Sequence, residues 1–338
     1  MANKGKPTSQ SADGTADKQR RIQREQDARD GEHSAAKGEE QSQQKKQPVQ
    51  AGAREQPGKL PAEHHAKPGI EAEMQLKPQF MAPDYEGSNK LRGMAALITG
   101  GDSGIGRAVA VLYAREGADV ALVYLPDEQP DAEETQRCIE AEGTRCLLIP
   151  GDVKDPAFCK QAVEQTVQQF GKLDILVNNA AFQEHAESLE DLTEERFDET
   201  MRTNIYGYFH MAKAALPHLK QGASIINTGS VVGLRGSPKL LDYSTTKGAI
   251  HAFTKSLAQN VIDKGIRVNA VAPGPVWTPL NPADQPADKV AQFGADTDMK
   301  RAAQPEELSP AYVFLAAPVC SGYITGIVLP VTGKVDAY

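Results

Sequence analysis

The stretch Thr99-Gly100-Gly101-Asp102-Ser103-Gly104-Ile105-Gly106 decides the fold, because it separates an apolar run from a helical pattern. Residues 95–99 (AALIT) form the apolar run, and apolar residues recur at helical spacing from 105 to 113. The order is therefore strand, glycine turn and helix. Glycine would let backbone N–H groups at the helix start approach a pyrophosphate closely. We predict nucleotide contacts from Gly100, Asp102, Ser103, Gly104, Ile105 and Gly106. The spacing is not G-x-G-x-x-G, so an ordinary glycine-rich turn is the alternative.

Strands and helices alternate along the rest of the chain. We predict strands at 95–99, 120–125, 146–149, 175–177, 224–227, 268–271 and 328–331, and the main later helices at 133–141, 156–170, 194–220, 243–262 and 305–317. Such alternation requires right-handed crossovers. It predicts a doubly wound α/β fold with a parallel, seven-stranded sheet and helices on both faces. Residues 91–338 are predicted to form this single domain.

The first 67 residues differ in composition from the rest. They contain 13 Lys/Arg and 10 Asp/Glu, against 24 and 35 in residues 68–338, so the longer segment is acidic. Their large apolar residues are Met1, Ile22, Val49 and Leu60. These are too few to offset ordering costs of about 1–2 kcal/mol per residue. We therefore predict a disordered polar tail at 1–67 and an extended, proline-containing arm at 68–90.

Composition argues against several classes of function. The acidic balance of residues 68–338 is unlike a nucleic-acid surface, which needs a concentrated basic patch. The sequence has no uninterrupted apolar stretch of about 18 residues to span a bilayer, and no secretory signal. The four cysteines lack metal-like spacing. We expect reduced thiols, no metal and a cytoplasmic protein without nucleic-acid or membrane partners.

Small or polar residues follow several predicted strands. Asp152 and Val153 follow the third strand, where the carboxylate could accept a hydrogen bond from an adenine amino group. The fourth strand ends at Asn178-Asn179-Ala180-Ala181, and the sixth ends at Pro273-Gly274. Open α/β sheets bind ligands at the carboxyl ends of their strands. We therefore expect these positions, Asn179 and Ala180 included, to lie against the same nucleotide.

Tyr243 and Lys247 are four residues apart on a predicted helix, hence on one face. A free tyrosine has a pKa of about 10, and a neighbouring ammonium or an oxidised nicotinamide would favour the phenolate. We predict that Tyr243 is the general acid–base. Ser230, after the fifth strand, could hold a substrate oxygen, and Asn204 could bind a water that links Lys247 to solvent. Because Tyr-x-x-x-Lys is frequent by chance, an exposed helix pair is the alternative.

Together these motifs resemble the short-chain dehydrogenase/reductase family over residues 91–333. The matching motifs are Thr99-Gly100-x-x-x-Gly104-Ile105-Gly106, Asn178-Asn179-Ala180, Asn204, Ser230, Tyr243-x-x-x-Lys247 and Pro273-Gly274-x-x-x-Thr278. The resemblance implies a Rossmann-type fold, hydride transfer between a nicotinamide and a carbonyl or alcohol carbon, no metal, and a homotetramer. It implies catalytic roles for Ser230, Tyr243, Lys247 and Asn204. It also implies cofactor contacts from Pro273, Gly274, Val276 and Thr278, and ribose binding by Lys247.

Two positions depart from the family pattern. Ala181 stands where glycine is usual and should narrow the space near the cofactor. Thr332-Gly333-Lys334 replaces Asp-Gly-Gly, which changes the packing of that turn. The tail and the segments 68–71 and 74–78 resemble a bacterial subgroup of stress-associated oxidoreductases with aldehyde- or alcohol-reducing activity.

The end of the second strand bears on the choice between NAD and NADP. An acid there would bind the ribose 2′-hydroxyl, and a base would accept a 2′-phosphate. Tyr124 and Leu125, which we expect beside the cofactor, are followed by Asp127 and Glu128, and residues 101–103 contain no Arg or Lys. This pattern favours NAD, and NADP remains open.

We predict reduction of a small aldehyde or ketone, or oxidation of the corresponding alcohol. A sugar 1-dehydrogenase remains open, because substrate contacts would come from 182–192, 234–241 and a lid at 275–304. A nucleotide-sensing or stress-protective interaction protein is the alternative of another class, although the intact catalytic set argues against it. We expect His185 on a surface loop, with a position facing the substrate as the alternative, and Trp277 either in the pocket wall or in packing.

Overall fold

A computed structural model of the protein describes residues 13–34 and 48–335, and its centre is a seven-stranded sheet in which all pairings are parallel. The strands are β1 (Ala95–Thr99), β2 (Asp119–Tyr124), β3 (Cys146–Pro150), β4 (Ile175–Asn178), β5 (Ser224–Thr228), β6 (Arg267–Pro273) and β7 (Val328–Val331). Their spatial order is β3-β2-β1-β4-β5-β6-β7. The chain runs outward from β1 to β3 and then returns to the other side of β1. This reversal opens a crevice at the carboxyl ends of β1 and β4, and the predicted fold class is confirmed.

Helices cover both faces of the sheet. They are α1 (Asp13–Ser34), α2 (Gly104–Arg115), α3 (Gln129–Ala141), α4 (Pro156–Phe170), α5 (Glu194–Met201), α6 (Gly207–Ala215), α7 (Val232–Arg235), α8 (Leu241–Val261), α9 (Ala287–Val290), α10 (Pro305–Ala316) and α11 (Pro318–Ser321). Ile98 of β1 belongs to a core with Tyr312 of α10. Its neighbour Leu97 belongs to a second core with Val163 of α4. Both faces of β1 are therefore buried, which explains its continuous apolar run.

Local sequence sets the bounds of α4, which agree with the prediction. The Asp155 side chain accepts a hydrogen bond from the backbone N–H of Ala157 at 2.8 Å, and Pro156 takes the first helical position. Gly171 ends the helix with a φ of 81°, a left-handed conformation that favours glycine. These signals are local, so the sequence reveals them.

The helix predicted at 194–220 consists of three consecutive segments instead. Helix α5 leads into a π-helical turn at Arg202–Tyr206, and α6 follows and ends before Pro217. A π-helical turn widens the helix locally and is common at functional sites. Asn204, a predicted catalytic residue, lies in this turn.

The N-terminal region differs from the predicted disorder wherever it is described. Residues 13–34 form α1, and residues 48–67 run across the domain, with the Val49 N–H donating to the Met299 carbonyl at 2.8 Å. Counting apolar residues missed this order, because α1 packs through a polar face that is held by hydrogen bonds and ion pairs. Residues 1–12, 35–47 and 336–338 lie outside the described residues, as does the prediction of disorder for the first two of these ranges.

The arm at 68–90 contains a 3-10 turn at Glu71–Glu73 and packs beside the segment that follows β6. Trp277 is buried against Met74 of the arm, and its Nε1 donates to the Leu76 carbonyl at 2.8 Å. Its role is therefore packing rather than forming the pocket wall. Among the residues described, no helix has the length and apolar character needed to cross a membrane.

Candidate active site

A cavity of about 390 Å³ follows the carboxyl edge of the sheet. It is lined by most of the residues predicted for cofactor binding and catalysis: Gly100, Asp102, Ser103, Gly104, Ile105, Tyr124, Asp152, Val153, Asn179, Ala180, Ser230, Tyr243, Lys247, Pro273, Gly274, Val276 and Thr278. Gly106 and Asn204 do not line it. The fold thus brings the glycine turn and the tyrosine–lysine pair into one continuous space, while the role of each residue stays a prediction.

Close packing explains the glycines at two positions of the turn. A Cβ on Gly106 would lie 1.8 Å from the Gly100 carbonyl oxygen, so glycine lets α2 pack against the end of β1. Gly104 has a φ of +50°, and a Cβ there would lie 2.9 Å from the Thr278 side chain. The turn therefore brings the N-terminus of α2 beside the cavity, where backbone N–H groups other than that of Gly104 suit a pyrophosphate. This cradle fits a dinucleotide.

Glu71 of the arm reaches the same turn, and the site prediction did not include it. Its Oε2 accepts from the Gly104 N–H at 2.7 Å, and its Oε1 accepts from the Arg107 guanidinium at 2.6 Å. Burial raises the pKa of Glu71 to about 7, against the opposing effect of Arg107. A carboxylate is favourable at a helix N-terminus. The arm therefore braces the start of α2, a long-range contact that no local pattern reveals.

Two residues of α1, Thr15 and Gln19, line the cavity together with Tyr124 and Asp152. Asp152 accepts from the Lys154 N–H at 2.9 Å through Oδ1 and from the Thr15 hydroxyl through Oδ2. Sequence reasoning missed Thr15 and Gln19, because a polar helix gives no sign of which domain surface it covers.

Acidic residues follow β2, as the sequence indicates. Glu128 lines the cavity and accepts from the Leu125 N–H at 2.8 Å. Asp127 pairs with the guanidinium of Arg20 on α1 at 2.5 Å. Helix α1 thus brings a base to this end of the site, and the charge of that base is already balanced by an acid.

Tyr243 and Lys247 lie one turn apart on α8. The Lys247 Nζ lies 5.2 Å from the centroid of the Tyr243 ring and donates to the Thr228 carbonyl at 2.7 Å. Lys247 is 1% exposed, and burial lowers its pKa to about 7. Burial also raises the pKa of Tyr243 well above its ordinary range. The predicted lowering of the tyrosine pKa is therefore not found for the protein groups by themselves, because burial dominates and the charges of Asp284 and Tyr312 add to it. Tyr243 carries its proton at neutral pH.

Asn204 is buried behind the cavity, and both ends of its side chain are engaged. Its Oδ1 accepts from the Phe182 N–H at 2.8 Å, and its Nδ2 donates to the Phe182 carbonyl at 2.9 Å and to the Thr246 hydroxyl at 3.0 Å. The side chain therefore fixes the loop after β4, where Phe182 lines the cavity. The predicted water that links Lys247 to solvent through Asn204 stays a prediction.

His185 is buried, so the predicted surface position is wrong. It is 3% exposed, with Nδ1 2.9 Å from Asp284 Oδ1 and Nε2 2.7 Å from Asp30 Oδ2 of α1. Burial acts to lower the pKa of His185, but hydrogen bonds to Asp284 and Asp30 raise it to about 10. The imidazolium therefore joins α1 to the loop after β6.

The same cluster contains three possible metal ligands. Atoms of Glu184, His185 and Asp284 that could hold an ion lie within 4.8 Å of one another. The Lys67 ammonium lies 3.1 Å from Glu184 Oε2, and protonated His185 faces Asp284. Two cations of the protein thus already balance these carboxylates, and the expectation of no metal stays a prediction.

Comparison with known proteins identifies the family. The profile described as enoyl-(acyl carrier protein) reductase matches residues 100–333. General stress protein 39 of Bacillus subtilis (strain 168) is 54% identical over 278 residues, 82% of this chain and 96% of that protein. Two Arabidopsis thaliana proteins are each 50% identical. They are NADPH-dependent aldehyde reductase 1, chloroplastic, over 274 residues (80% and 95%), and glucose and ribitol dehydrogenase homolog 2, over 278 residues (81% and 96%). The chain belongs to the short-chain dehydrogenase/reductase family and is an oxidoreductase, not a non-catalytic sensor.

Solved structures match the same domain. A short-chain dehydrogenase from Burkholderia cenocepacia J2315 in complex with NADP is 35% identical, with a TM-score of 0.67 over 72% of this chain and 98% of that one. A 3-ketoacyl-(acyl-carrier-protein) reductase from Brucella melitensis complexed with NADH is 33% identical, with a TM-score of 0.66 and the same coverage. These neighbours support a nicotinamide cofactor, and they include both cofactor types.

Proposed function

We propose that the protein transfers a hydride between a nicotinamide cofactor and the carbonyl or alcohol carbon of a small aldehyde, ketone or alcohol. The observation that carries the proposal is that Ser230, Tyr243 and Lys247 line the same cavity as the glycine turn. The name of the aldehyde reductase at 50% identity agrees with it.

The catalytic side chains act on the substrate oxygen. When bound, the nicotinamide supplies the hydride in reduction and accepts it in oxidation. In reduction, Tyr243 gives its proton to the carbonyl oxygen, and the Ser230 hydroxyl donates a hydrogen bond to the charge that develops there. Lys247 then stabilises the tyrosinate electrostatically. Asn204 is a positioning residue that holds the loop at Phe182.

Tyr243→Phe tests this assignment, because it removes the hydroxyl and keeps the ring. Turnover should fall by at least about 10²-fold, while NADH affinity in a fluorescence titration stays within about twofold. Tyr206→Phe is the matched control, because Tyr206 is 55% exposed and lies outside the cavity lining. Turnover retained by Tyr243→Phe contradicts the mechanism.

The substrate class rests on the far end of the cavity. Leu240, Leu280 and Phe293 line it and favour a small apolar carbonyl compound. Gln183 and Asn281 also line it, and these amides favour the second candidate, oxidation of a sugar at carbon 1, which the name of the second Arabidopsis relative also suggests. Values of kcat/KM for a panel of aldehydes, ketones, alcohols and sugars distinguish the two. A sugar with the highest value selects the second candidate.

For the cofactor we propose NAD(H) rather than NADP(H). Glu128 lies in the cavity after β2, and its carboxylate suits a ribose 2′-hydroxyl better than a phosphate. The guanidinium of Arg20, which could favour a phosphate, is paired with Asp127. Steady-state rates with NADH and NADPH test the choice. A tenfold preference for NADPH contradicts it.

We also propose a cytoplasmic homotetramer, following the family resemblance. Exposed apolar side chains occur on α5 and α6, at Phe197 and Phe209, and near α11, at Val319 and Tyr323. Exposed apolar patches are typical of interfaces between subunits. Light scattering on the full-length protein measures the assembly, and a monomer at micromolar concentration contradicts the proposal.

A further inference from the structure

Helix α1 packs on the domain through one polar face. The buried residues of this face recur at helical spacing: Thr15, Gln19, Gln23, Gln26 and Asp30. Gln23 accepts from the Lys67 N–H at 2.8 Å and donates to the Ala283 carbonyl at 2.8 Å. These specific partners fix one docked position of α1 on the domain, which we call its seat.

The N-terminal end of this face reaches the cofactor cavity. The Thr15 hydroxyl donates a hydrogen bond to Asp152, the residue predicted to recognise adenine. Gln19, one turn later, lines the cavity and is 5% exposed. Within residues 13–34 and 48–335, the Gln19 amide makes no hydrogen bond, and it is accessible from the cavity. Because this amide faces the cavity and has no hydrogen-bond partner among the described residues, it is free to bind a ligand group there.

The cavity persists with α1 in its seat. Its lining runs from Thr15 and Gln19, past Gly100, to Tyr243 at the catalytic end. Helix α1 therefore covers the adenine end without filling the space predicted for the dinucleotide. Cofactor entry therefore does not require α1 to leave the domain, as it would if the helix filled the cavity.

We infer that α1 is part of the cofactor site, with Gln19 as a contact to the adenosine half and Thr15 as a positioning residue for Asp152. The inference rests on the proposed cofactor use. Because α1 covers this end of the cavity and would contact the bound nucleotide, its docking strengthens nucleotide binding. Binding of nucleotide and docking of α1 therefore favour each other.

Equilibrium NADH binding to the full-length protein tests the two side chains without relying on turnover. Gln19→Ala should weaken NADH affinity about fivefold, as expected for one lost hydrogen bond. Thr15→Val should also weaken it, and Thr15→Ser, which keeps the hydroxyl, should restore it. Arg24→Ala is the control, because Arg24 is on the exposed side of α1. Unchanged or tighter binding by both Gln19→Ala and Thr15→Val overturns the inference.

Limited trypsin digestion tests the coupling directly. Trypsin can cleave α1 after Arg20, Arg21 and Arg24, and saturating NADH should slow this cleavage severalfold by holding the helix in its seat. Cleavage that is unaffected or accelerated by NADH overturns the inference. A wild-type protein that binds neither NADH nor NADPH overturns the proposed function as well. Normal binding that is insensitive to both variants overturns only the role of α1.

Discussion

Removing the charge of His185 should destabilise the fold in a pH-dependent way. His185 lies between Asp284, 2.9 Å from Nδ1, and Asp30, 2.7 Å from Nε2. Glu184 is 3.6 Å away and pairs mainly with Lys67. His185→Gln removes the cation between Asp284 and Asp30, although Gln183 and the backbone N–H of residue 185 still donate to Asp284 and Gln26 still donates to Asp30. Breaking a buried ion pair from one side typically costs about 3–5 kcal/mol.

The pKa of His185 gives the sign of the pH dependence. A folded-state pKa of about 10 against an ordinary 6.5 sets an upper limit of about 5 kcal/mol on its contribution. Since the folded pKa is raised, the contribution is full below pH 6.5 and is lost as the pH rises through about 10. After a discount for relaxation of the carboxylates, we expect His185→Gln to lower the free energy of unfolding by about 3 kcal/mol at pH 6 and by about 1 kcal/mol at pH 9.

Urea unfolding at pH 6 and pH 9 measures this difference. The protein concentration must be equal in all samples, because assembly of subunits adds to apparent stability. His218→Gln is the control, since the His218 side chain makes no hydrogen bond or ion pair with any other residue that the structure describes. A loss below about 1 kcal/mol at pH 6, or an equal loss at both pH values, would refute the argument.

Three further substitutions test the packing that positions the site. Gly106→Ala places a methyl group 1.8 Å from the Gly100 carbonyl oxygen, so the variant should lack measurable NADH binding in a fluorescence titration, and wild-type affinity would contradict this. Trp277→Phe removes the hydrogen bond to the Leu76 carbonyl and leaves a gap, which should cost about 1–3 kcal/mol in urea unfolding. Asp155→Ala removes the cap of α4 and should cost about 1 kcal/mol, whereas Asp155→Asn should retain most of the stability.

The sheet and the glycine turn could be predicted because their signals are local. The central strands β1 and β5 are buried on both faces, and each contains apolar residues that the sequence shows. The bounds of α4 follow from residues directly at its ends. The tyrosine–lysine pair could be predicted as catalytic because the order of motifs along the chain placed it at the same edge of the sheet as Gly100.

The parts that could not be predicted depend on contacts between distant polar residues. Thr15 meets Asp152 across 137 positions, and Asp30 meets His185 across 155. No periodic pattern of apolar residues in the sequence indicates either contact. A rule based on apolar content therefore predicts disorder for α1. The pKa of Tyr243 was misjudged for a related reason. The sequence shows the neighbouring lysine, whereas the burial that raises the pKa of Tyr243 depends on the whole fold.

The position of α1 connects the stability of the fold with cofactor binding. His185 holds one end of the polar face of α1 through Asp30, and Gln19 near the other end faces the cavity. Because a helix moves largely as one body, loss of the anchor at Asp30 should also weaken the contact at Gln19. His185→Gln should therefore lower NADH affinity as well as stability, although His185 does not line the cavity. A variant that loses stability and keeps full NADH affinity would separate the two effects and show that α1 docks independently of the nucleotide.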